Sequence, residues 1–166
     1  MTMPRRFHAA AIALVIAVSM ASAASARSAP PAAAPAGCTG PASPYWLNVV
    51  ADGLRSSEGL LAVTLYEDVS RKFLAKKGSL YVGRVPAVAG TTRACIFLPK
   101  PGVYALALYH DENANQKFDR TGIGFPAEGY GFSNNPSTLA GLPSFRAVRL
   151  SIPRASLTSR VHMKYP

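Results

Sequence analysis

The chain has 166 residues, enough for one folded domain, and its 18 Lys+Arg against 8 Asp+Glu give a formal net charge of +10. Its cations are scattered, with only Arg71, Lys72, Lys76 and Lys77 grouped, and no nucleic-acid motif accompanies them. That excludes sequence-specific nucleic-acid binding and favours an anionic partner such as an acidic envelope polymer, a glycan or a membrane surface.

At the N-terminus, Arg5 and Arg6 precede an almost wholly apolar run from Ala9 to Ala23. Ala21-Ser22-Ala23 and Ala24-Ser25-Ala26 then offer small-x-small cleavage sites. This pattern predicts a signal peptide over residues 1–26 and a periplasmic or secreted product. The rival reading, an uncleaved anchor, needs about 20 apolar residues, and this run is shorter. No later segment is long and apolar enough to span a bilayer. Taking Arg5 and Arg6 from the 18 cations leaves 16 against 8 anions, a net +8 for the mature chain.

Residues 27–44 are rich in Ala, Pro and Ser, a composition that predicts a linker. Two cysteines, Cys38 and Cys95, are expected to form a disulfide in an oxidising compartment. Such a bond would close a loop of more than fifty residues, worth on the order of 4 kcal/mol in the chain-entropy model. Ala36-Gly37-Cys38 also looks like the end of a lipidation motif, but it lies well past the apolar run and follows Pro35.

Seven strand-like runs follow: Tyr45–Val50, Leu60–Tyr66, Leu80–Val85, Arg93–Leu98, Val103–His110, Ala147–Ile152 and Arg160–Tyr165. Leu61, Val63 and Leu65 share one face of the second run. In the fifth, Tyr104, Leu106, Leu108 and His110 oppose Val103, Ala105, Ala107 and Tyr109. Pro and Gly recur at the breaks, and only Ser70–Lys77 suggests a turn of helix. The spacing predicts an all-β fold: a seven-stranded antiparallel Ig-like or transthyretin-like β-sandwich over residues 45–166. One long irregular stretch, Asp111–Ser144, interrupts it. Loops of that length are usually functional or disordered, and this composition is too specific for disorder.

Two motifs carry a family resemblance. Leu98-Pro99-Lys100-Pro101-Gly102-Val103-Tyr104 resembles the turn-and-strand unit of transthyretin-like and Cna-B-like sandwich domains. The run His110-Asp111-Glu112-Asn113, Asn115, Asp119, then Gly124-Phe125-Pro126, Glu128-Gly129-Tyr130-Gly131-Phe132-Ser133-Asn134-Asn135 resembles the Domain of Unknown Function 2141 family of bacterial secreted proteins. The likeness covers about Trp46 to Tyr165. It implies an exported β-sandwich and no established activity. Family members often have glycine where Ala114 and Gln116 stand, so this chain lacks their easy access to positive φ.

Asp111, Asn113, Asn115 and Asp119 occupy relative positions one, three, five and nine, with Lys117 at seven, where a backbone carbonyl would serve. Oxygen ligands at this spacing suit calcium, with Glu112 or Glu128 as a further carboxylate. An EF-hand is disfavoured by Gln116 at position six and Gly122 at position twelve. A two- or three-carboxylate site would bind weakly, on the order of 10⁻⁴ M. The alternative is an Asx-turn loop that needs no metal.

His110 is either a general base or metal ligand, or a hydrogen-bonded anchor for the loop. The mature chain's other histidine is His162, which rules out a multi-His zinc site. A triad with Ser133 lacks nucleophile-elbow context. Tyr130, Phe132, Asn134 and Asn135 could form a platform for a glycan or peptide, or cover an open sandwich edge. The sequence therefore favours a non-enzymatic envelope binding or structural module. The alternative is a hydrolase-like enzyme using His110 with Asp111, Glu112 or Glu128.

Overall fold

The computed structural model describes residues 33–138 and 142–166. The expected signal peptide lies outside them. Among the described residues there are eight strands: β1 (Tyr45–Leu54), β2 (Leu60–Glu67), β3 (Tyr81–Pro86), β4 (Gly90–Leu98), β5 (Gly102–Asp111), β6 (Gly129–Phe132), β7 (Arg149–Ile152) and β8 (Leu157–His162). A 3₁₀ turn at Ser70–Lys72 and one helical turn, α1 (Phe145–Val148), complete the regular elements. No helix among the described residues is long and apolar enough to cross a membrane.

The strands form two sheets. The smaller has the order β4-β1-β8, and the larger runs β3-β2-β5-β6 with β7 also paired to β5. On its free side β5 holds β7 along Gly102–Ala105 and β6 along Ala107–His110. Leu47, Val49 and Ala51 of β1 meet Leu61, Val63 and Leu65 of β2 in the core, with Leu106 and Leu108 from β5. The predicted faces of β2 and β5 are therefore the ones packed between the sheets. A sandwich follows because alternating strands must bury one face against another layer.

Two features depart from the sequence reading. The strands number eight, not seven, because Gly129–Phe132 pairs with β5 inside the stretch read as irregular. Its glycines look like turn residues but serve close packing. A Cβ on Gly131 would stand 2.6 Å from Val161 Cγ1, and one on Gly129 would overlap the Tyr165 ring. The sandwich is also not wholly antiparallel, since β8 runs parallel to β1 from Leu47↔Leu157 to Asp52↔His162.

Two of the four sheet edges, β6 and β4, are partly covered by flanking chain. Tyr130 of β6 exchanges backbone hydrogen bonds with Lys164, at 2.9 and 2.8 Å, joining the larger sheet to the tail beyond β8. At the opposite edge, the Thr39 N–H donates to Cys95 O and the Phe97 N–H donates to Thr39 O, each at 2.9 Å. The Cys38–Cys95 disulfide anchors this arm to β4. The tail end of the 27–44 segment thus belongs to the fold, because its backbone satisfies a strand edge.

Candidate functional site

The crossover from β5 to β6 begins with Asp111, which is fully buried. Its Oδ1 accepts the Asn115 N–H at 3.0 Å and its Oδ2 accepts the Gln116 N–H at 2.8 Å. Asn113 Oδ1 accepts the same Asn115 N–H at 3.1 Å, and Asn115 Oδ1 accepts the Lys117 N–H at 2.7 Å. The amide Nδ2 groups of Asn113 and Asn115 both donate to Asp119 Oδ2 at 2.8 Å. This is an Asx-turn network, in which short side chains replace backbone partners in a tight turn. Lys117 points its side chain to solvent.

Ala114 and Gln116 adopt φ of 55° and 62°. The loop keeps a left-handed geometry at both positions although neither is glycine. An L-residue there costs roughly 1–2 kcal/mol of backbone energy. Ala114→Gly and Gln116→Gly are each expected to raise the unfolding free energy by about 1 kcal/mol in a urea titration, offset in part by glycine's greater unfolded-state entropy. A loss of stability in both variants would contradict this account of the turn.

Past Asp119 the chain makes an excursion and returns. The Asp119 N–H donates to Glu128 Oε2 at 3.0 Å, and the Ala127 N–H donates to Asp119 O at 2.9 Å. Thr121 and Phe125 close the tip by a 2.8 Å backbone bond. Glu128 is 4% exposed, and its Oε1 is buried without a hydrogen-bond partner. Burial, with the nearby Asp119 and Asp111 charges, pushes its carboxyl above the ordinary value. Among the described residues, no three His, Cys, Asp or Glu side chains converge as metal ligands.

His110 is fully buried. Its Nε2 lies 2.8 Å from Glu58 O, which can only accept, so Nε2 carries the proton. Its Nδ1 then accepts from the Tyr165 hydroxyl at 2.6 Å, and that hydroxyl accepts the Arg55 N–H at 3.1 Å. Glu112 Oε1 is 3.9 Å from Nδ1 but is committed to Arg55 Nε at 2.8 Å. The Arg55 guanidinium holds the Glu112 carboxyl below the usual range. The cluster forms a closed hydrogen-bonded plug at one end of the sandwich.

Asn134 and Asn135 are held apart from the other candidates. Asn134 Nδ2 donates to Ala147 O and Arg149 O, and Asn135 bridges Arg160 O and the His162 N–H. Ser133 is buried, its Oγ accepting the Leu106 N–H at 3.0 Å and donating to Val148 O. These three side chains stitch β5, β7 and β8 together around β6.

Tyr130 and Phe132 instead line a cleft of 590 Å³ on the outer face of the larger sheet. Cross-strand register explains the hollow. Thr64 and Ala107 sit opposite each other, with Phe132 beyond them, so small residues floor the sheet centre between aromatic walls. Tyr66 and Tyr109 supply further wall, while Phe118, Phe125 and Pro126 of the crossover form a roof. The rings brace one another, with centroids 5.6 Å apart for Tyr109–Phe118 and 6.4 Å for Phe118–Tyr130. Arg120 also lines the cleft, its guanidinium 5.2 Å from the Phe118 centroid. Sequence reasoning anticipated the aromatics of β6 but not Arg120 or the floor. The available signal was the run of small residues at Ala62, Thr64, Ala105 and Ala107 on the faces opposite the core leucines.

The described residues thus form a β-sandwich with a hydrogen-bonded loop network and a roofed aromatic cleft. The chain belongs to a family described as an uncharacterized protein conserved in bacteria (DUF2141), which it matches over residues 49–159. That span runs from β1 into β8 and includes the whole crossover. No curated protein and no solved structure matches the chain.

Proposed function

We propose that this chain is a non-enzymatic binding module of the bacterial envelope, periplasmic or secreted, that holds an extracellular ligand in the cleft between its larger sheet and the Asp111–Gly129 crossover. The cleft carries this reading. Its 590 Å³ falls within the range of about 300–1,000 Å³ typical of ligand pockets, and its walls are mainly aromatic, with Arg120, two threonines and three tyrosine hydroxyls as polar groups. The disulfide fits an oxidising compartment. The burial of His110, with both ring nitrogens engaged, supports this reading over the hydrolase alternative.

The test uses 1-anilinonaphthalene-8-sulfonate, an anionic aromatic dye. The folded protein is expected to bind it at one saturable site. Ala107→Phe, which fills the floor, and Phe125→Ser, on the exposed rim, should each weaken binding tenfold or more with the melting transition retained. Dye binding that ignores both substitutions would remove the cleft from the reading.

A second reading, calcium bound at the crossover, starts from the partnerless Glu128 oxygen and requires Asp111 and Asp119 to move toward it, because the three carboxylates do not converge as ligands. A carboxyl raised above its unfolded value destabilises the fold as pH climbs through the unfolded value, and the cost is complete above the folded one. In chelator at neutral pH, Glu128→Gln is therefore expected to gain about 1 kcal/mol, a gain that vanishes in acid. Calcium at a hundredfold over its dissociation constant should stabilise the natural protein by about 2.7 kcal/mol and reverse that order. Melting indifferent to calcium would leave the Asx network as the loop's sole support.

A further inference from the structure

We infer that the cleft's ligand is an anionic amphiphile: an acyl chain lying on the Thr64–Ala107 floor with its acidic head at Arg120. This rests on the cleft being a ligand site. Three observations select the ligand class. First, the enclosing surface is mainly aromatic and aliphatic, its polar groups being Arg120, the Thr64 and Thr138 hydroxyls and three tyrosine hydroxyls, and no carboxylate lines it. A methylene chain gains from every ring it touches.

Second, the rim is apolar where it meets water. Ile123 is 83% exposed, Phe125 61% and Leu142 60%, and the last two line the cleft. Large apolar side chains left in water around a pocket mouth mark a surface that meets an apolar partner. Third, the charge near the mouth is positive and unpaired. Arg120 lines the cleft and donates only one of its N–H groups internally, to Gly124 O. Arg71, Lys76 and Lys77 are exposed within three residues of Leu74, another lining residue. Of the neighbouring acids, Glu67 is committed to Lys72 and Asp68 to Arg149, while Asp119, beside Arg120, accepts the Asn113 and Asn115 amides and does not line the cleft. An acidic head beside Arg120 therefore meets a net positive lining, and an ammonium head would be disfavoured there.

The acidic acyl chain could be free in solution or part of a membrane lipid, and the experiment separates these sources. Alkyl carboxylates from butanoate to tetradecanoate, kept below their micellar concentrations, are titrated into the whole protein against the bound dye. Affinity is expected to rise about fourfold per added methylene until the cleft is full. Arg120→Gln should weaken dodecanoate about tenfold, and dodecylammonium should not compete. In a second arm, phosphatidylglycerol vesicles are sedimented with the protein and with Phe125→Ser. Co-sedimentation lost in that variant assigns the chain to a membrane lipid. Competition by free carboxylates without vesicle binding assigns it to a free amphiphile. Either result supports the inference. Dye that binds the cleft while no carboxylate or vesicle competes would overturn the acyl assignment and leave the binding module standing. A cleft that binds neither dye nor amphiphile would end both.

Discussion

Opening the Cys38–Cys95 bond is expected to lower the melting temperature by roughly 10–20 °C. The bond joins positions 57 residues apart, and the chain-entropy model assigns a loop of that length about 4 kcal/mol. A domain of this size loses a few degrees per kcal/mol. The effect is large against a total stability that is typically about 5–15 kcal/mol. A local consequence should accompany it. The two backbone hydrogen bonds between Thr39 and β4, one donated by Thr39 and one by Phe97, bracket Ile96, and the Tyr81 hydroxyl donates toward both Thr39 O and Phe97 O. Without the bond, residues 38–40 are held only by hydrogen bonds and packing against Gly83 and Tyr81, so the Phe97 amide should exchange with solvent faster than amides at the β1–β4 centre. The measurement is thermal melting of the natural protein with and without reductant, beside the Cys38→Ala, Cys95→Ala double variant. Equal melting temperatures with both thiols shown to be free would sink the argument.

The framework was legible where local pattern and tertiary demand agree. In β2, Leu61, Val63 and Leu65 alternate because one face packs on the core, and in β5 Leu106 and Leu108 do the same. It was illegible where pairing is set by distant chain. β6 reads as turn chemistry because two of its four residues are glycine, yet both glycines are required by the tail packed over them. The expected last strand, Arg160–Tyr165, overshoots β8. The tail beyond His162 leaves β1, the Met163 N–H bonding Asp52 O, and turns to pair with Tyr130. The parallel match of β8 to β1 has no local signature at all, since hairpin signals report antiparallel neighbours only.

The loop illustrates a different limit. Oxygen-bearing residues at alternating positions announced a curled segment, and Asp111, Asn113, Asn115 and Asp119 do converge there. The same spacing serves metal coordination and Asx turns equally, because both place short oxygen-bearing side chains inside a tight bend. Sequence alone cannot choose between them, and the direction of each amide decides what the bend contains. The cleft was hidden for another reason. Its floor on β2 and β5 and its roof at Phe118 and Phe125 lie far apart along the chain, and small residues such as Ala107 look unremarkable until strand register aligns them.

His110→Ala is expected to cost about 3 kcal/mol, a fall of roughly 10 °C in melting temperature. Two effects add. Truncation leaves a cavity at a fully buried site, and it strips partners from the Glu58 carbonyl and the Tyr165 hydroxyl. Those groups belong to segments 52 and 55 residues away in sequence, so the imidazole ties three distant parts of the chain at one end of the sandwich. His110→Gln, which can still donate to Glu58, should lose less than the alanine variant. Tyr165→Phe removes one of the two hydrogen bonds, so combining it with His110→Ala should cost less than the separate losses together. A structural plug also predicts that cleft binding of the dye survives in His110→Ala below its lowered melting point. If the alanine variant melted like the natural protein, the bonds at Nδ1 and Nε2 would carry no net stability. The buried imidazole would then need a different explanation.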